Sequence, residues 1–162
     1  YLDQVTTLVA SKKIRQMPFM VETMGERGAR LQTHCDTLVD IFQRVRPHCV
    51  ISEAAYMGRF AQAFESLTEC LGMMRYALTC YDPSMVLEMI DSPTVKNGLG
   101  VPGKKPKGMD AVVYKDLVKQ AILKLDLLRV HSGIDLNSLD EHATDAIAVG
   151  CYKLRFASPN II

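Results

Sequence analysis

An α/β fold with some parallel strand pairing, closed by two further helices, is what the sequence predicts, and three observations predict it. Strand-like runs at 5–14, 49–53 and 85–90 alternate with helical apolar spacing at 30–46 and 61–79. The middle run, Cys49-Val50-Ile51, has no polar alternation, which suits a strand buried on both faces of a parallel sheet. Beyond Asp91 the pattern changes to a span rich in Gly, Pro and Lys and then to helices at 109–125 and from Leu139.

The elements follow in order. Val5, Thr6, Thr7, Leu8, Val9 and Ile14 are strand formers, with Lys12, Lys13 and Arg15 charging the far end of the run. Gly25 and Gly28 mark a loop. The helix after it carries Leu31, Leu38, Ile41, Phe42 and Val45 and is halted by Pro47 before the strand that ends at Glu53. A second helix over 61–79 carries the stripe Phe60, Ala63, Phe64, Leu67, Leu71, Met74 and Leu78, and Gly72 lets something approach its backbone. Such a stripe forms core or serves a partner helix in a dimer. The strand over 85–90 is closed by Asp91-Ser92-Pro93. The span 97–108 is a flexible basic loop, and the helix after it turns Val112, Val113, Leu117, Val118, Ala121, Ile122 and Leu125 inward. After a turn at Ser132-Gly133, Ser138 and Glu141 stand at capping-box spacing and open the last helix.

At 162 residues the chain is expected to be one domain, 1–162, with a sizeable core. A formal net charge of +1 gives no overall pull toward nucleic acid, so any basic surface is local. Cys35, Cys49, Cys70, Cys80 and Cys151 are odd in number and include no C-x-x-C pair, which argues against a disulfide framework and a zinc ribbon and for an intracellular, reducing compartment such as the cytoplasm. No apolar run approaches the ~20 residues of a bilayer span, and no charged-then-apolar leader opens the chain, so no membrane association is expected.

Two acids stand out. In open α/β sheets the ligand crevice lies beyond the carboxyl ends of the strands, which makes Glu53 a candidate for chemistry; an acid there also caps helices or faces solvent. In Asp140-Glu141-His142-Ala143-Thr144-Asp145 the helix dipole accounts for Asp140 and Glu141. It does not account for Asp145, which lies a turn further in, on one face with His142, and runs into Ala146-Ile147-Ala148-Val149-Gly150. A carboxylate in such packing needs a cation, and a metal shared with Glu53 supplies one.

These residues resemble a known family, the RuvC-type Holliday junction resolvases of the ribonuclease H-like superfamily. The segment 30–53 is similar to the family's first long helix and following strand, ending in its second catalytic acid. Tyr56-Met57 through Gly72 resembles its aromatic-Met pair, basic residue and Gly-containing helix; Val95-Lys96 and the loop after it resemble its DNA-contacting segment, though the loop is longer here. His142-x-x-Asp145-Ala146-Ile147-Ala148 resembles its closing acidic helix, whose first position is Asp in some members and His in others. The resemblance covers about 5–154. It implies an α/β, ribonuclease H-like fold with a mixed central sheet flanked by helices.

It also implies metal-dependent hydrolysis of branched DNA by a homodimer joined through the helix over 60–78. Glu53, His142 and Asp145 would be the catalytic, metal-holding residues, with Mg2+ the expected ion and Mn2+ tolerated because of the histidine. Lys96, Lys104, Lys105, Lys107 and Arg59 would neutralise phosphates, and Tyr56 and Phe60 would stack on bases at the crossover. A solvated loop and ordinary packing are the plainer roles for these same residues. The chain departs from the family at its start: the family's first catalytic Asp lies in a strand for which Tyr1-Leu2-Asp3-Gln4 has no room, so the N-terminal strand hairpin and that Asp are expected before Tyr1. The alternative function is a junction-binding or structural relative that does not cut.

Overall fold

The computed structural model describes residues 16–56, 61–125 and 135–157. The strand over 5–14, the turn at Ser132-Gly133, and Arg59 and Phe60 lie outside these residues. Within them the chain is mixed α/β and mostly helical. In order come α1 (Pro18–Val45), β1 (Val50–Glu53), α2 (Ala61–Tyr81), β2 (Leu87–Ile90), α3 (Ser92–Gly98), α4 (Ala111–Leu123) and α5 (Glu141–Tyr152). β1 and β2 pair as a two-stranded parallel sheet, with α2 as the helix between them in sequence. The described residues divide into two compact units, the first holding 51–54, 90–125 and 135–157, the second holding 16–50, 55–56 and 61–89.

The second unit is a helix pair. Pro18 starts α1, where its fixed φ fits the first turn and its missing N–H costs nothing. The loop expected at Gly25 and Gly28 is instead part of this helix: α1 begins well before Arg30 and is kinked at Gly25, whose φ of 74° and ψ of 166° are open to glycine and strained for other residues. Arg46, at φ 50° and ψ 60°, caps the other end by donating its N–H to the Phe42 carbonyl at 2.8 Å, ahead of Pro47. The two helices run in the same direction, since Arg27 pairs with Glu65 and Glu69 in their first halves and the Phe42 and Tyr81 rings meet at 5.9 Å near their ends.

Cys35, Phe42, Leu71, Ala77, Leu78 and Leu87 form the core of this unit. The α2 stripe is thus divided: Leu71 and Leu78 are buried against α1, whereas Ala63 and Leu67 are exposed. Gly72 is exposed with open space where a Cβ would stand, so no neighbour in the described chain makes the close approach expected there. Val45 is likewise exposed, and β2 starts at Leu87 rather than Met85.

In the first unit, Asp91-Ser92-Pro93 starts a helix instead of ending a strand. Asp91 is the N-cap of α3; its carboxylate accepts from the Thr94 N–H at 2.9 Å and the Thr94 hydroxyl at 2.6 Å, bonds that hold the carboxyl below its ordinary range. Gly98 closes α3 beneath the Tyr152 ring, where any Cβ would overlap the aromatic carbons. The basic span after it is fastened rather than loose. Val101 is buried, the Gly103 N–H donates to Asn97 Oδ1 at 2.8 Å, the Tyr114 hydroxyl donates to the Pro102 carbonyl at 2.6 Å, and Lys105 Nζ donates to the Met109 carbonyl.

Asp110 caps α4 through the Val112 N–H at 2.7 Å, and α4 turns Val118 and Ile122 inward while Val112 and Val113 face out, against the sequence expectation. The N-cap of α5 is Asp140, which accepts from the Ala143 N–H at 2.8 Å; Ser138 sits in a 3-10 turn, Leu136–Ser138, with its hydroxyl donated to the Asp135 carbonyl, so it is not the cap. α5 packs on α3 and α4, and Val95, Val101, Val118, Ile122, Ile147, Ala148, Val149 and Cys151 form the core between them.

Candidate functional site

Glu53 is the exposed last residue of β1. The next residue is still paired, its Ala54 N–H donating to the Ile90 carbonyl at 2.9 Å, which fixes the backbone at the point where Glu53 leaves the sheet. Asp145 comes from the second turn of α5. Its neighbours Thr144, Ile147 and Ala148 are buried, and it is itself half-buried. Burial raises the Asp145 carboxyl above the ordinary range; the Lys96 ammonium opposes that rise, the Glu53 and Glu141 carboxylates add to it, and His142 opposes it.

The two acids singled out in sequence, one on β1 and one on α5, therefore share one electrostatic neighbourhood within a single unit, and the exposed His142 belongs to it. Among the described residues no group of three or more His, Cys, Asp or Glu side chains is placed to hold a metal ion. Glu53 acts on Asp145 through its charge. Magnesium takes one or two carboxylates and fills the rest of its shell with water and substrate phosphate.

Beside Asp145 opens a cleft of about 460 Å³ lined by α4, α5, Lys96 and Lys105. Its polar wall holds Lys96, Lys105, Lys115 and Lys119 together with Asp116, Glu141 and Asp145, and its apolar wall includes Val118 and Leu139. Three of the lysines are committed to partners, Lys115 to the Glu141 carboxylate, Lys119 to the Asn137 carbonyl and Lys105 to the Met109 carbonyl. Lys96 Nζ lies over the Tyr114 ring, 5.7 Å from its centroid. Of the lysines expected to meet phosphate, Lys96 and Lys105 line the cleft, while Lys104 and Lys107 are exposed on the span outside its lining. Tyr56 is 80% exposed, so it is not packed against α2 as its plainer role would have it.

Tyr114, Lys115, Asp116 and Lys119 are cleft residues that sequence reasoning passes over. Reading α4 by its apolar side alone hides them. Lys115 and Lys119 stand at i, i+4, one turn apart on one face, and that spacing in a helix following a lysine-rich span is a legible sign of a local basic surface. Compared with family models and with curated proteins, the chain matches none.

Proposed function

We propose that this chain is a structure-selective DNA endonuclease of the ribonuclease H-like type, resolving four-way junctions by metal-dependent phosphodiester hydrolysis as a homodimer. The observation that carries the reading is half-buried Asp145, under the charge of Glu53, lining a cleft that also holds four lysines. Those lysines have a use beside a phosphodiester.

In this reading Glu53 and Asp145 hold Mg2+, with Mn2+ accepted because His142 is adjacent. The ion, when bound, polarises the phosphate and lowers the pKa of a water. The remaining work belongs to the chain. Half-buried Asp145 presents a carboxylate short of hydration, which favours a cation over water as its partner. Lys96, Lys105, Lys115 and Lys119 offset the charge of the strand lying in the cleft, and Lys104 and Lys107 extend that surface outward. Tyr56, with Arg59 and Phe60 after it, is assigned to the junction crossover, where an exposed ring can stack on an unpaired base. Two cuts on opposite strands call for two copies, and the exposed Ala63 and Leu67 half of α2 is the surface assigned to their contact.

The test is junction cutting by the full-length natural protein. Symmetric nicks that need magnesium or manganese and stop with EDTA are expected. Tight junction binding without cutting in either metal would replace the enzyme by a non-cutting relative of the fold, and equal rates on linear duplex or RNA–DNA hybrid would remove the junction selectivity. Replacing Lys115 or Lys119 with Ala is expected to lower the slope of log affinity against log salt by about one each.

A further inference from the structure

One side chain touches both Lys96 and the backbone that leads into Lys104 and Lys105. The ring of Tyr114, half-buried on α4, carries the Lys96 ammonium at 5.7 Å from its centroid, and its hydroxyl donates to the Pro102 carbonyl at 2.6 Å. Pro102 and Gly103 lead directly into Lys104 and Lys105, and Lys105 lines the same cleft as Tyr114, Lys96 and Asp145. Two short-range forces thus converge on one residue: attraction of an ammonium to an aromatic face, and a hydrogen bond to a backbone carbonyl. Val101 anchors this span in the core with Val118 and Ile122, the Asn97 side chain takes the Gly103 N–H, and the hydroxyl of Tyr114 adds a hydrogen bond to it from α4.

We propose that Tyr114 is a positioning residue of this cleft: its ring sets the Lys96 ammonium beside Asp145, and its hydroxyl sets the height of the Lys104-Lys105 span over the bound strand. The inference rests on the nuclease reading of the site. The two parts of the side chain have separable effects, because the ring acts next to the acids and the hydroxyl acts on the outer lysines.

Tyr114→Phe keeps the ring and removes the tie; Tyr114→Leu removes both. In the full-length protein, Tyr114→Phe is expected to raise KM for a four-way junction about fivefold, the worth of one hydrogen bond, with kcat within about twofold. Tyr114→Leu is expected to show the same KM rise and a further fall in kcat of about fivefold from release of Lys96. Junction affinity without divalent metal, read by fluorescence anisotropy, should follow KM in both variants, and circular dichroism checks that each is folded.

If the wild type does not cut, the nuclease reading fails, and the anisotropy series alone then decides the role of the hydroxyl. If the wild type cuts and Tyr114→Phe matches it in KM and affinity, the positioning role of the hydroxyl is overturned while the nuclease reading stands. A folded Tyr114→Leu with unchanged kcat overturns the role of the ring. Should Tyr114→Leu fail to fold, Lys96→Met in a Tyr114→Phe background replaces it; equal kcat with and without Lys96 counts against the ring, and a fall of about fivefold supports it.

Discussion

The helix pair and the acid-bearing unit are both built mainly from helices yet bury different things. Among the described residues the interior of the helix pair is wholly apolar, from Cys35 to Leu87, and its ion pairs, Arg27 with Glu65 and Glu69 and Arg44 with Asp40, stay on the surface. In the other unit an apolar core is edged by a half-buried aspartate, three committed lysines and a cleft. The helix pair keeps its charges where water screens them, and the other unit keeps a carboxylate where burial works against its ionisation.

If that contrast is right, substitutions in the two regions should fail in different ways. The largest effect is expected from Glu53→Gln and Asp145→Asn, which should abolish cutting and leave junction binding in place, checked by a nicking assay beside a mobility shift. Unchanged cutting by either would break the contrast outright. Asp145→Asn carries a second expectation. Asp145 holds its proton more tightly folded than unfolded, so its contribution to stability is present in acid, below the unfolded value, and lost as pH rises through the raised folded value. The Asn variant should therefore melt higher than the wild type at pH 7 in EDTA, and the gap should close toward acid, followed by thermal unfolding at several pH values.

Leu78→Ala, at a position 1% exposed in the helix pair, should cost about 2–5 kcal/mol of stability and leave kcat of the folded protein unchanged, read by urea titration and by initial rates. A kcat loss without a stability loss would show the helix pair taking part in the chemistry. Gly98→Ala sharpens the picture within the cleft unit: the added methyl overlaps the Tyr152 ring and should cost about 1–3 kcal/mol in the same titration, through displacement of α3 from α5. The smallest effect is expected for Arg27→Ala, whose ion pairs are screened by solvent; the loss should be measurable at low salt and vanish at high salt.

The sequence discloses β1, α2 and α4 because each rests on a local pattern: an unbroken apolar run, or an apolar stripe with a clear stop. Glu53 and Asp145 stand out in the sequence as acids set against apolar runs, one at the end of 49–51 and one ahead of 146–149. The failures come where one residue type serves two structures. Asp91-Ser92-Pro93 punctuates a strand, and it is equally an N-cap with Pro in the first turn, which is the role Thr94 selects by bonding back to Asp91. Ser138 and Asp140 both cap helices, and only the backbone angle of Asp140, φ −71° and ψ 171°, decides between them. Gly25 bends a helix here instead of ending it, a choice made by packing of α1 along α2 and invisible to glycine content. The cleft itself, with Tyr114 under Lys96, exists only once α4 and its preceding span are folded against one another.

Cys151 lies fully buried in α5, and burial pushes its thiol up to about 11. It is doubly shielded from alkylating reagents, by steric exclusion and by the scarcity of its reactive thiolate at neutral pH. Cys49, Cys70 and Cys80 are exposed and should modify within the first moments of labelling. Two slow signals then remain, from Cys151 and from buried Cys35 in α1; separated by peptide mass, the Cys151 signal counts the openings of the helix that carries Asp145, a native clock for its breathing.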